Sequence, residues 1–254
     1  MGSDTLLGIG LYTPHEAARY VRADVRRFRR WLYGHGASQP VFEPQLGREL
    51  ANELVTFLDF AQALSVQDVR LNVGIPLQKI REAYRRAQEE YQIPYPFAFE
   101  HGIFIFGNLK DPKACQLGIY LPEQSEIPEE EFLKRKQVQL TGRHKGNLLI
   151  SRVVQEFSRK LRFAASGIAD RYSAYSGRGH EIIMDCNYRF GKPCVIDVGY
   201  EAQTLADAAR IEGGPERAAG LYKVPESAVK AAIDYMRELD APLPRLTPTT
   251  ITAA

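Results

Sequence analysis

The organisation of the first third of the chain follows from residues 13–34, which read TPHEAARYVRADVRRFRRWLYG. This stretch opens with a helix signal, because Thr13 suits the N-cap position and Pro14 suits the first helical position. Glu16 stands three residues after the cap and completes a capping box. We therefore expect a short helix that ends near Tyr20.

A second helix is predicted directly after this one, with Asp24 as its cap and Gly34 as its stop. Apolar residues recur at helical spacing along it: Val25, Phe28, Trp31 and Leu32. The remaining positions are basic, so that five arginines fall within nine residues: Arg22, Arg26, Arg27, Arg29 and Arg30. The pattern predicts a helix with one buried face and one cationic face.

A helix of this kind suits the major groove of DNA, because a guanidinium binds phosphate as a charge and pairs with guanine through its planar fork. The alternative is a solvated face that pairs with acidic neighbours. The helix-turn-helix spacing and the near absence of acids within the second helix favour nucleic acid. We therefore predict that Thr13 and the five arginines contact DNA.

The composition of the chain indicates that a basic surface covers only part of the protein. The chain has 254 residues, of which 44% are hydrophobic and 25% charged, and its formal net charge is only +2. These values suit a folded protein of two or three domains, and any basic surface must be local. The three cysteines lack paired spacing, and no signal peptide or apolar membrane span is evident. We therefore expect a soluble cytoplasmic protein that does not contact membranes.

The fold class expected from the pattern is mainly α with small β elements. We divide the chain into residues 1–91, a middle α/β region at 92–180, and a C-terminal three-helix module with a tail at 181–254. Short strands are predicted at 102–106, 117–121, 137–140, 182–186 and 193–198. A helix is predicted from about 147 to 163, with one apolar stripe: Leu149, Val153, Phe157 and Leu161.

A second motif brings a family resemblance. Residues 12–19 read YTPHEAAR and residues 72–81 read NVGIPLQKIR, with Gly74 at a turn and Pro76 at a helix start. Together they resemble the N-terminal winged helix-turn-helix domain of MerR-type regulators over residues 11–91. The resemblance implies that the second helix enters the major groove and that residues 35–50 form the wing.

Two features depart from the MerR pattern. The predicted wing lacks the usual Tyr-Arg pair, and the long dimerising helix that normally follows is missing. We nevertheless expect a homodimer on an inverted repeat, with the dimer contact within residues 147–240.

The C-terminal region carries a second resemblance. Residues 187–196 read NYRFGKPCVI, and helical segments follow over residues 204–233. This order resembles a module of VapB-type antitoxins with a "GKPVI" strand, some of which join it to a MerR-like N-terminus. The resemblance implies an antitoxin of a type II toxin-antitoxin system that represses its own operon and neutralises a PIN-domain ribonuclease toxin.

Several other segments give weaker signals. Basic residues flank the strand at 137–140 and could touch DNA phosphates: Lys134, Arg135, Arg143 and Lys145. The tail from residue 241 is rich in Pro and Thr, and its Arg245 could pair with an acidic nuclease site. Residues 214–239 also have a helix-turn-helix outline, which we interpret as a packing unit because its charges are mixed.

The sequence shows no enzyme motif. Its five histidines are scattered, there is no Cys-x-x-Cys and no phosphate-binding glycine loop, and no nucleophile sits in a recognisable elbow. We predict no catalytic residue, metal or cofactor. Two other hypotheses remain beside the antitoxin: a stand-alone MerR-like regulator that senses a small molecule through residues 92–180, and an interaction scaffold that does not bind DNA.

Overall fold

The computed structural model describes residues 9–36, 38–47, 54–100, 103–106, 111, 113–120, 137–139, 141 and 160–242. Five predicted contact residues lie outside this part of the chain: Lys134, Arg135, Arg143, Lys145 and Arg245. Most of the helix predicted at 147–163 lies outside it as well.

Four helices are described in the N-terminal region. Helix α1 spans Pro14–Val21, α2 spans Val25–Tyr33, α3 spans Phe57–Gln67, and α4 spans Leu77–Tyr91. A π-helical turn at Asp68–Val73 and the left-handed Gly74 lead from α3 to α4. The predicted bounds of the second helix, its Asp24 cap and its Gly34 stop are confirmed.

The strands within the described residues form three separate antiparallel sheets. Strands β1 (Leu11–Tyr12) and β2 (Val55–Thr56) pair with each other. Strands β3 (Ile103–Phe106), β4 (Gln116–Tyr120) and β5 (Gln137–Gln139) pair in chain order. The largest sheet is a five-stranded meander of β6 (Leu161–Phe163), β7 (Ala169–Gly177), β8 (His180–Asp185), β9 (Cys194–Val195) and β10 (Tyr200–Glu201).

Three helices follow the large sheet, as the sequence predicted. Helix α5 spans Ala202–Ile211, α6 spans Pro215–Tyr222, and α7 spans Glu226–Asp240. They pack on the sheet around a second hydrophobic core to which Ile182 and Val195 contribute. Within the described residues, no helix combines the length and apolarity that a membrane crossing requires.

The N-terminal helices and the large sheet share the first hydrophobic core. Leu161, Ala169 and Met184 are buried in the same cluster as the side chains of α1 to α4. The rings of Phe60 and Tyr172 meet edge to face with centroids 5.7 Å apart. Through these contacts α3 packs against β7, and the large sheet is joined to the N-terminal helices.

Polar contacts reinforce this junction. The Tyr12 hydroxyl donates to the carbonyl oxygen of Gly191 at 2.8 Å, and Lys192 pairs with Glu16. Arg19 on α1 pairs with Asp240 at the end of α7 at 2.8 Å. Helix α1 is therefore fixed at both ends to the C-terminal part of the chain.

Two sequence predictions need correction. Residues 161–163 were expected to end a helix but form β6, whose Arg162 pairs with Asp170 in the adjoining hairpin. The sequence also predicted a mainly α fold with small β elements. The structure contains a five-stranded sheet, so the fold is mixed α and β. Strand β7 was missed because ADRYSAYSG carries few strongly apolar residues, and a strand with mostly half-buried side chains leaves a weak alternation.

Candidate nucleic-acid interface

Helix α1 begins with the predicted capping box. The Thr13 hydroxyl accepts a hydrogen bond from the Glu16 amide at 3.2 Å, and the Glu16 carboxylate accepts one from the Thr13 amide at 2.8 Å. The hydroxyl of Thr13 also donates to that carboxylate at 3.0 Å. Thr13 is exposed, but its hydroxyl is engaged by the cap, so its clearest role is to fix the start of α1.

The turn between α1 and α2 places Arg22 apart from the other arginines. Arg22 adopts the left-handed conformation at the end of α1, and its carbonyl accepts from the Gln67 side chain at 3.0 Å. Its Nε atom is buried and has no hydrogen-bond partner among the described residues.

Helix α2 separates its apolar and basic residues cleanly. Phe28, Trp31 and Leu32 are almost wholly buried against the first core. Because successive residues turn by about 100°, Arg26 and Arg30 lie opposite this buried face. Arg27 and Arg29 flank them, and all four arginines are exposed. The predicted cationic face is therefore directed into solvent, and the core fixes the rotation of the helix.

A shallow groove of about 460 Å³ runs along this face of α2. Six residues line it: Arg26, Arg29, Arg30, Tyr33, Gly34 and His35. The Arg29 guanidinium lies over the Tyr33 ring, 5.5 Å from its centroid, in a cation–π contact. Sequence reasoning missed Tyr33 and His35; the i, i+4 spacing from Arg29 to Tyr33 was the signal that could have placed Tyr33 there.

The arginines of this face differ from most basic residues elsewhere in the described part of the chain. None of the side chains of Arg26, Arg27, Arg29 and Arg30 forms a hydrogen bond or ion pair with a described residue. Many other described basic side chains do pair with a carboxylate: Arg19, Arg85, Arg86, Arg162, Arg171, Arg178, Lys192, Arg210, Lys230 and Arg237. The acid-paired alternative for α2 therefore has no support among the described residues.

The chain turns sharply after α2, at the start of the predicted wing. His35 and Ser38 exchange two backbone hydrogen bonds of 3.0 Å, and Val41 then donates to the Trp31 carbonyl at 2.7 Å. Val41 and Phe42 are buried. The described part of the segment is thus a tight turn followed by a return to the core, and residues 48–50 lie outside the described chain.

Gly34 is required for this turn. Its φ of 74° and ψ of −167° lie in a region that is essentially restricted to glycine. A Cβ atom at this position would lie 2.2 Å from the backbone oxygen of Ser38. We expect Gly34→Ala to lower the free energy of unfolding by about 1–3 kcal/mol, as measured by urea denaturation.

Gly36 in the same turn supplies a matched control. Its φ is also positive, at 56°, but a Cβ there would meet nothing within 4 Å. Gly36→Ala should therefore cost less than Gly34→Ala. Equal losses for the two variants would contradict the account of Gly34.

Asp59 on α3 is buried, and its carboxylate binds the chain segment that follows α2 at Gln45. One carboxylate oxygen accepts from the Gln45 amide at 3.0 Å and the other from the Thr56 amide at 3.2 Å. Burial raises the pKa of Asp59 from 3.8 to about 6, although these amide hydrogen bonds lower it. A charge held in this position costs free energy at neutral pH.

The raised pKa of Asp59 predicts a pH dependence of stability. Between pH 4 and 6 the folded protein binds this proton more tightly than the unfolded chain, so the contribution of Asp59 to stability falls as the pH rises through that window. A shift of about two units corresponds to about 3 kcal/mol. We expect Asp59→Asn to remove this component from urea titrations compared at pH 4, 5, 6 and 7.

The comparison with the parent protein isolates the effect, because every other titrating group is shared. The difference in unfolding free energy between Asp59→Asn and the parent should change across the window and be constant above pH 7. A constant difference from pH 4 to 7 would show that Asp59 does not titrate there.

The C-terminal helices do not repeat the charge pattern of α2. On α7, Lys230 pairs with Glu226 at 3.0 Å and Arg237 approaches Asp234 at 3.6 Å. On α6, Arg217 donates to the carbonyl of Glu212 at 3.4 Å. The paired charges favour the interpretation of this helix pair as a packing unit.

Comparison with known proteins finds a similar fold but no matching family. No protein-family model matches the chain, and no curated protein matches it. The chain is similar to the crystal structure of Rv2018 from Mycobacterium tuberculosis, with a TM-score of 0.59 and 16% sequence identity. The similarity covers 90% of this chain and 99% of that one. At this identity the likeness shows a shared fold.

Proposed function

We propose that this protein binds double-stranded DNA through the exposed face of α2. The observation that carries the proposal is the set of exposed arginines on that face, none of which has an acidic partner among the described residues. Like charges at i, i+3 and i, i+4 repel each other along a helix, so this arrangement costs stability unless an anion neutralises it. A functional anion explains why the cost is tolerated.

The shape of this face favours DNA over a small anion. The groove is shallow and extends from Arg26 to His35, along the length of the helix. The four arginines opposite the buried face of α2 are exposed among the described residues, and a helix that enters a major groove requires such a face. Tyr33 and His35 would accompany the arginines towards phosphates at the groove edge.

The salt dependence of binding tests this proposal. Fluorescence anisotropy with a labelled fragment of the protein's own promoter should give an affinity that falls steeply with salt. Each phosphate neutralised contributes a slope of about −0.9 in log K against log salt concentration. Affinity that does not change with salt would exclude electrostatic binding through α2, and equal affinity for a scrambled duplex would limit the function to non-specific binding.

We propose further that two copies bind an inverted repeat. Two recognition helices on one face of a duplex require half-sites about 34–36 Å apart, or a multiple of this. Sedimentation of the complex should give two chains on each duplex. A single chain bound with full affinity would contradict a dimeric reader.

The resemblance of the C-terminal region to VapB-type modules extends the proposal to an antitoxin. In this role the protein represses its own operon and neutralises a PIN-domain ribonuclease toxin encoded beside it. Co-expression with the adjacent gene product should restore growth that the toxin alone arrests. A chain that ends at Asp240 tests whether the tail takes part, and no rescue by the full chain would remove the antitoxin role while leaving DNA binding in place.

A further inference from the structure

A hydrogen-bonded group of three side chains lies in the C-terminal part of the molecule, apart from α2. His180 at the start of β8 places its Nδ1 atom 2.7 Å from the Asp197 carboxylate. Its Nε2 atom lies 2.7 Å from the hydroxyl of Ser227 on α7. The three residues are separated by 17 and 47 positions, so the folded chain alone brings them together.

The partners of the ring fix the role of each nitrogen. A carboxylate only accepts hydrogen bonds, so Nδ1 of His180 carries the proton and donates to Asp197. In the neutral ring, Nε2 then has a free electron pair and accepts from the Ser227 hydroxyl. A serine, a base that accepts its proton and a carboxylate that orients the base are the groups of a serine nucleophile.

The start of α7 adds a place for a developing negative charge. Ser227 is the second residue of this helix, and no side chain caps the helix start at Pro225. Backbone amides in the first turn of a helix favour anions where they lack an acceptor. The Ala228 amide already donates to the Pro225 carbonyl at 3.0 Å, so the Glu226 and Ser227 amides are the donors for such an anion. The nearby carboxylate of Glu226 is paired with Lys230, which reduces its repulsion of such an anion.

We propose that Ser227, His180 and Asp197 form a nucleophilic centre that hydrolyses activated acyl esters. The Ser227 oxygen bonds to the acyl carbon while its proton passes to Nε2 of His180, and the ester C–O bond then breaks as the alcohol takes up that proton. Water, deprotonated by the same nitrogen, attacks the acyl-serine and releases the carboxylic acid. Ser227 and neutral His180 are regenerated.

The surroundings of the group define the substrates to be tested. The His180 side chain is only 8% exposed, whereas that of Asp197 is 47% exposed. The base is thus shielded while the orienting carboxylate faces water, which weakens its effect on the ring. Small esters with good leaving groups are therefore the substrates within reach of this centre.

Covalent labelling provides the direct test. The full-length protein is treated with a fluorophosphonate, in which the serine oxygen displaces fluoride from phosphorus, and the modified residue is located by peptide mass spectrometry. We expect one adduct, on Ser227, and none on the Ser227→Ala variant. Hydrolysis of p-nitrophenyl acetate should fall at least tenfold in Ser227→Ala and His180→Gln.

Ser173 supplies the matched control, because its hydroxyl donates to the Glu181 carboxylate at 2.6 Å and no described histidine pairs with it. Ser173→Ala should retain both labelling and ester hydrolysis. If the three side chains only fasten β8 to α7, Ser227→Ala lowers the melting temperature, but the folded parent protein gains no label on Ser227. That result, or unchanged hydrolysis in a folded Ser227→Ala variant, would overturn the proposal.

Discussion

Replacing Arg26 and Arg30 together with alanine is expected to abolish most of the affinity for DNA. These two side chains lie opposite the buried face of α2, on the side that would face the major groove of DNA. Each arginine paired with a guanine contributes about 1–3 kcal/mol, and one that contacts only phosphate reduces the salt slope by about one. Anisotropy titrations at several salt concentrations distinguish these two roles for each single variant.

A charge-matched variant controls for the loss of two positive charges. Arg210→Ala combined with Arg217→Ala removes the same net charge from α5 and α6; the side chain of Arg210 is 73% exposed. This double variant should bind DNA as the parent does. Equal losses for the two double variants would show that overall charge, or the C-terminal helices, accounts for binding. Full affinity without Arg26, Arg27, Arg29 and Arg30 would remove α2 from the interface.

Trp31→Ala is expected to give the largest loss of stability. Trp31 is 1% exposed and forms the buried face of α2 together with Phe28 and Leu32. Truncation of a buried aromatic side chain to alanine costs about 3–5 kcal/mol, since it leaves a cavity as well as losing apolar contact.

Thermal and urea unfolding monitored by circular dichroism measure this loss. For a chain of this size, each kcal/mol lowers the melting temperature by roughly 2–4 °C. Arg30→Ala, next to Trp31 on the same helix, is the control and should leave stability within about 0.5 kcal/mol, because its side chain is exposed. A Trp31→Ala variant as stable as Arg30→Ala would contradict the packing of α2 described above.

These two predictions separate binding from folding on one helix. Sequence reasoning identified the arginines and the apolar stripe because both follow from residue type and helical spacing. It missed Tyr33, although the i, i+4 spacing from Arg29 was available in the sequence. It missed His35 because the path of the chain beyond Gly34 depends on the geometry of the turn. It grouped Arg22 with the other arginines, and the structure places Arg22 in the left-handed turn that ends α1.

The sequence by itself determined the local elements of the N-terminal region: the caps at Thr13 and Asp24, the stop at Gly34, and the bounds of α2. These depend on hydrogen bonds and backbone preferences within a few residues, so they are encoded locally.

Only the tertiary structure decided the extent of the large sheet, the packing of β7 under α3, and the meeting of His180 with Ser227 and Asp197. Strand pairing and side-chain contacts between distant positions depend on how the whole chain closes around its cores. A half-buried strand such as β7 leaves no strong pattern in the residues themselves.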